Sequence, residues 1–201
     1  MTEDGPRRQA RGMRRIASIL DAAATLFTAA GYDATTTNAI ASAAKISPGS
    51  LYQFFPNKPA IAEALTARYV DDLNAIYDHA LAIGPGDPAA ASKTIDQLIE
   101  ALVAFHAANP AAKALLGGAG ISPDLARITT PLHGAMCDRA EDVVAAIAPT
   151  LTPRERARTA EVCIHIVQAL MPMILAAPAA ARPEASNELK RALVGYLLTP
   201  P

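Results

Sequence analysis

The groups best suited to chemistry in this sequence fall between Thr35 and Lys58, in the run TTTNAIASAAKISPGSLYQFFPNK. They include no nucleophile beside a base and no pair of carboxylates. They are hydroxyls, side-chain amides, a phenol and two ammonium groups, set around a small apolar knot of Ile40, Ala41, Ala44, Ile46 and Leu51. Such a set suits noncovalent recognition of phosphates and base edges. Pro48, Gly49, Ser50 and Gln53 leave the second of two short helices small or polar on its outer side. Small residues let the backbone come close to DNA, and the N–H groups and dipole at a helix start favour phosphate. Tyr52 can donate a hydrogen bond to a phosphate, and Lys58 can pair with one at the start of the next helix. Two helices this short do not hold alone, so the apolar knot must fix their angle.

Nothing else in the chain is arranged for catalysis or metal binding. His79, His106, His133 and His165 are scattered, with no HExxH spacing, no Cys/His cluster, no serine elbow and no glycine-rich phosphate loop. The expectation is no enzyme, no cofactor and no metal. Cys137 and Cys163 lie in apolar surroundings and read as reduced thiols in a cytoplasmic protein. A metal- or thiol-sensing regulator using Cys137, Cys163, His133 and His165 is the alternative reading.

The elements that must position these groups are helices throughout. Alanine supplies much of the 51% hydrophobic content, aromatics make up only 4%, and no strand pattern appears. Six prolines follow good capping residues: Ser47-Pro48, Asp87-Pro88, Asn109-Pro110, Ser122-Pro123, Thr130-Pro131 and Thr152-Pro153. Each pair reads as a helix start, because proline at the first helical position loses no hydrogen bond. Thr152 with Glu155 forms a capping box. The result is an all-α chain of about nine helices. They run near 9–30 (closed by Gly31), 37–44, 48–54, 58–82 (broken by Gly84-Pro85-Gly86), 88–108, 110–116, 123–129 with 131–148, 153–176 and 184–198.

Charge is uneven although the formal net is only -1. Residues 1–60 carry seven basic and four acidic side chains, a net of +3, and the remainder carries -4. A basic head on an acidic body fits a nucleic-acid contact confined to the N-terminus. Arg7, Arg8, Arg11, Arg14 and Arg15 form a basic arm of the kind that can enter a minor groove. The polar N-terminus shows no secretory pattern. Residues 162–181 contain no Asp, Glu, Lys or Arg. His165, Gln168, Pro172 and Pro178 argue against a membrane span there. A helix apolar on all sides in water must then be covered by protein.

The Thr35–Lys58 run and its flanks resemble the DNA-binding domain of the tetracycline-repressor (TetR) family of bacterial regulators. The resemblance rests on Gly31-Tyr32, Thr36-Thr37, Ile40-Ala41, Ala44, Ser47, Gly49, Leu51-Tyr52, Phe55 and Lys58, spaced without insertion over roughly residues 10–65. It implies that Thr36 and Thr37 contact phosphate and that Asn38 points to bases or backbone. Pro48, Gly49, Ser50 and Gln53 face the major groove, Tyr52 and Lys58 hold phosphates, and Ser47 joins the DNA-binding set. Lys45 stands where the family turn usually has glycine, and its ammonium offers a phosphate contact there. Phe54 stands where Tyr or His is common, and cannot donate to phosphate.

The resemblance implies a DNA-binding domain over residues 1–58 and an effector-binding and dimerisation domain over 59–201. The partners expected are palindromic operator DNA, a second copy of the chain and a small hydrophobic effector, with no membrane. Phe105, His106, His133, Met136, Cys137, Gln168 and Met171 form the candidate ligand pocket, greasy with a few polar anchors. Val162, Ile166, Ala169 and Met173, with Leu189, Leu193, Tyr196 and Leu197, form the candidate dimer face.

Overall fold

The computed structural model describes residues 4–82, 88–116 and 122–198, with side chains except those of 4–8, 88, 114, 116 and 131–133. Among the described residues there are nine α-helices, one 3-10 turn and no strand. The helices are α1 (Asp4–Ala34), α2 (Thr37–Ala43), α3 (Pro48–Tyr52), α4 (Lys58–Leu81) and α5 (Pro88–Ala108). They continue as α6 (Pro110–Leu116), α7 (Pro123–Ile147), α8 (Pro153–Ala176) and α9 (Arg182–Leu198), the 3-10 turn Ala179–Ala181 preceding α9. The predicted Gly84-Pro85-Gly86 break lies outside the described residues.

Five of the six predicted proline starts open helices α3, α5, α6, α7 and α8. At α8 the full capping box forms: the Glu155 amide reaches Thr152 Oγ1 at 3.4 Å, and the Thr152 amide reaches Glu155 Oε2 at 2.9 Å. Thr130-Pro131 departs from expectation, because Pro131 lies inside α7. An interior proline removes a hydrogen bond and costs on the order of 3 kcal/mol. Burial on both sides of it, at Leu125 and Ile128 before and Val143 and Val144 after, outweighs that cost. The first helix also begins earlier than expected, at Asp4, with Pro6 in its first turn where the missing N–H is harmless. Gly31 interrupts it at φ 80°, ψ 163°, a conformation essentially reserved for glycine.

The chain forms two compact units. The first comprises residues 1–68 and 109–130, the second residues 69–108 and 131–201. The division thus falls inside α4 and α7, whereas the sequence reading drew one boundary after residue 58. In the first unit α1 packs on α6 and α2, and α2 on α3. Its core includes Ile19, Phe27, Ile40, Leu51, Ile61, Leu65, Leu115 and Ile128. Phe27 and Tyr32 stack at a tilt with centroids 5.4 Å apart, and Arg68 pairs with Asp21 at 2.8 Å.

In the second unit α9 packs on both α8 and α5. Its core includes Tyr69, Leu73, Ile99, Phe105, Ile174 and Leu189. Lys190 ties α9 to α5 through Glu100 at 2.8 Å and Asp96 at 3.7 Å. Arg139 of α7 pairs with Asp78 of α4. Among the described residues, one helix, Pro153–Ala176, is long and apolar enough to cross a membrane, and only 17% of its most apolar window is buried.

Candidate nucleic-acid interface

Helices α2 and α3 owe their ends to hydroxyl caps. Thr36 is extended at φ -110°, ψ 155°, and its Oγ1 accepts the Ala39 amide at 3.1 Å. Ser47 does the same for α3, accepting the Ser50 amide at 3.1 Å and meeting Ser50 Oγ at 2.9 Å. A hydroxyl that accepts in a cap still holds a proton to donate, so Thr36 and Ser47 remain able to bind a phosphate oxygen. Between the helices the backbone turns through Lys45, at φ 56°. The Ile46 amide then bonds the Ala41 carbonyl at 3.0 Å and closes the turn. Left-handed backbone at a lysine costs about 1 kcal/mol, the cost that glycine would avoid.

The apolar knot is buried as expected at Ile40, Ala41, Ala44 and Leu51, with Ile46 half-buried and Phe55 added beneath them. Every predicted contact residue stays off the core. Thr36, Asn38, Lys45, Ser47, Pro48, Gly49, Tyr52 and Gln53 are exposed, and Thr37, Ser50 and Lys58 are half-buried. Thr37 and Tyr52 come together across the two helices, hydroxyl to hydroxyl at 3.0 Å. Their oxygens sit side by side on the outer surface, where one phosphate could meet both. Phe54 is also exposed.

Lys58 has a second occupation that sequence reasoning missed. Its Nζ donates to the carbonyls of Tyr32 at 2.8 Å and Asp33 at 3.1 Å, and lies 4.3 Å from the centre of the Tyr32 ring. It therefore caps the end of the first helix from the start of the fourth. Two of its three N–H groups are committed there, leaving one for a phosphate. A cationic cap at a helix C-terminus is a familiar signal, but here it comes from 25 positions away and leaves no trace in local sequence.

The predicted ligand residues differ in their burial and surroundings. Phe105 is buried, edge-on to Tyr69 at 5.8 Å and to His106 at 5.2 Å. Burial holds the His106 imidazole below its usual pKa. Met171 is buried, Met136 and Cys137 are half-buried, and Gln168 is exposed, within 3.4 Å of His165 Nδ1. The side chain of His133 lies outside the described residues. A groove of about 230 Å³ runs between α4 and α5, lined by Ala75, Ile76, His79, Ala80, Gln97, Leu98 and Ala101. Its lining includes none of Phe105, His106, Met136, Cys137, Gln168 and Met171.

The thiols are poorly suited to sensing. Burial, aided by Asp138, Glu161 and Glu141, raises the Cys137 pKa, and burial pushes Cys163 up to about 11. Reactive and metal-binding cysteines require the opposite shift.

The predicted dimer face divides in two. On α8, Val162 and Ile166 are half-buried, while Ala169 and Met173 are exposed, Met173 at 52%. Tyr196 of α9 is also exposed, and Leu197 packs beside Ala140, Val144 and Ala160. Leu189 and Leu193 depart from the expectation, with exposures of 0% and 4%. They turn inward because the α9 stripe serves the core of its own unit, against α5 and α8, before any partner arrives.

Comparison with known proteins agrees with this picture. Residues 19–65 match the family model described as bacterial regulatory proteins, tetR family. Residues 92–197 match the model of a tetracyclin repressor-like C-terminal domain. The HTH-type transcriptional repressor KstR2 of Rhodococcus jostii (strain RHA1) is 37% identical over 94 residues, 47% of this chain and 46% of that protein. The matched stretch thus spans about half of that relative's length. Among solved structures, a TetR-family regulator from Streptomyces coelicolor is 22% identical with a TM-score of 0.64, covering 91% of this chain and 97% of its own. A regulator from Pseudomonas aeruginosa PAO1 is 18% identical with a TM-score of 0.71, covering 92% and 90%. At such identities these likenesses bear on the fold.

Proposed function

The chain belongs to the TetR family of bacterial transcriptional regulators, and from that premise we propose that it is a repressor that grips a palindromic operator as a homodimer and releases it on binding a small hydrophobic effector. The family is one of DNA-binding regulators, not enzymes. The observation that carries the DNA reading is the row of exposed hydroxyl, amide and cationic groups on two helices, each capped by its own hydroxyl, Thr36 to Gln53. Repression is favoured by the likeness to a named repressor. One short recognition helix reads too few base pairs for specificity, so two are needed, about one helical turn apart.

The division of labour we propose assigns DNA binding to residues 1–58 and effector binding and dimerisation to 59–201. The uncovered apolar side of α8, with Val162, Ile166, Ala169 and Met173, supports a second protomer as its cover. A soluble, cytoplasmic dimer follows, in which that helix is covered by protein. Effector and operator are coupled through α4, whose 24 residues include members of both compact units. A ligand that prefers a tilted α4 disfavours the DNA-bound spacing of the two recognition helices. Coupling of about 1–3 kcal/mol, or roughly 5- to 150-fold, is the usual range.

The test begins with selection of duplexes from a random library by the full chain. The expected result is a two-fold symmetric site whose affinity falls steeply with salt. Failure to enrich any duplex would remove the repressor reading. Effector affinity is then measured with and without saturating operator. Reciprocity requires the same factor in both directions, and equal affinities for a compound that releases DNA would sink the two-state account.

A further inference from the structure

The first helix begins well before anything covers it. Among residues 9–18 no side chain is buried, and Ile19 is the first that is. Arg11, Arg14 and Arg15 are all exposed there, and spacings of three and four set them on one helix face. Arg14 Nε donates to the Ala10 carbonyl of its own helix at 3.2 Å. Among the described residues no carboxylate pairs with any of the three. Like charges at these spacings oppose a helix, so the row is better satisfied by a polyanion than by water.

An extended basic arm can thread a minor groove. A helix cannot: with side chains it is about 10–12 Å across, and the groove is about 6 Å wide. From Arg11 to Arg15 the row rises about 6 Å, enough to meet neighbouring phosphates spaced about 3.4 Å along the axis of one strand. Three cations at helical spacing make up the row, with Met13 and Ala10 beside them, Gln9 near its start and Ser18 continuing its face. We propose that the first turns of α1 stay helical on DNA and lay Arg11, Arg14 and Arg15 along the phosphate backbone, outside the minor groove. The inference rests on the DNA-binding reading above and adds a sequence-independent grip to it.

The experiment uses the full chain and two duplexes, one selected by the wild-type protein and one of random sequence. The triple variant Arg11→Gln, Arg14→Gln, Arg15→Gln should bind both more weakly by a similar factor. Its plot of log K against log salt should be shallower by about 2–3, near 0.9 per lost phosphate contact. Met13→Pro tests the helix and is compared with Met13→Ala. Met13 is 66% exposed, and a proline there takes the first position of a shortened helix, so the core from Ile19 onward is kept. Met13→Pro releases Arg11 from the helix and leaves Arg14 and Arg15 in it, so its salt plot should be shallower by about 0.9, with an unchanged thermal midpoint. Wild-type binding by Met13→Pro, with loss in the arginine variant, would mean an extended arm and overturn the proposal. Wild-type binding by the arginine variant, or loss on the selected duplex alone, would also overturn it. If the wild-type chain binds neither duplex, the DNA-binding reading itself fails.

Discussion

Replacing Lys58 by methionine separates its two roles. Methionine keeps most of the aliphatic stem and removes the ammonium. Two hydrogen bonds to the Tyr32 and Asp33 carbonyls are lost, and so is the contact with the Tyr32 ring. Hydrogen bonds from a charged donor are worth about 1.5–3 kcal/mol when buried, and an exposed cation–π contact about 0.5–1 kcal/mol. Lys58 is only half-buried, so screening reduces the sum to about 2 kcal/mol. For a chain of this size that is roughly 4–8 °C in thermal midpoint. The DNA role predicts something separate: weaker binding to every sequence, and a salt plot shallower by about 0.9 for one phosphate. Calorimetry reads the first effect, and titration of labelled duplex at several salt concentrations reads the second. An unchanged midpoint would refute the cap. An unchanged salt slope would refute the phosphate contact, whatever happened to stability.

Ile166→Asp places an unpaired charge on the apolar side of α8, and should yield monomers or insoluble protein by sedimentation; a soluble DNA-binding dimer would put the interface elsewhere. Lys45→Gly relieves left-handed backbone worth about 1 kcal/mol but adds glycine's unfolded-state entropy of similar size. Its thermal midpoint should stay within about 2 °C of wild type while the DNA salt plot becomes shallower by about 0.9. A clear loss of stability would mean that Lys45 makes a structural contact. Burial lowers the His106 pKa in the folded chain from 6.5, so the unfolded chain binds its proton first. Stability from this group is complete above about pH 6.5 and falls below it, by at most about 1.4 kcal/mol per pH unit, until the folded pKa is passed. His106→Asn should flatten that part of the stability–pH curve, and an unaltered curve would assign the effect to another group.

Local grammar made most of the fold legible. Ser47, Thr152 and the prolines after them act within a few residues, and so does Gly31, whose φ of 80° suits its predicted place at the end of a helix. The same grammar misread Thr130-Pro131, because a cap signal cannot report the burial of Leu125 and Val144 on either side. The exposed face of α2 and α3 was readable because small, polar and apolar positions alternate there with helical spacing. The Lys58 cap was not, since its acceptors lie 25 and 26 positions away. Leu189 and Leu193 show the limit of a stripe: periodicity says that a face is buried, not what buries it. The candidate ligand residues meet the same limit. A greasy residue on a central helix looks the same whether it lines a cavity or fills a core.

The discontinuity of the first compact unit has a consequence for biosynthesis. Residues 1–68 contain the contact surface but lack Ala111, Ala112, Leu115, Leu125 and Ile128, which are buried in the same unit. At roughly 5–20 residues per second of synthesis, the nascent helix-turn-helix segment waits about 3–12 seconds for the last of them. During that interval the apolar side of α1 that meets α6 has no cover. A fragment ending after Arg68 would remain in that condition permanently, so DNA recognition should mature only once translation has passed Thr130.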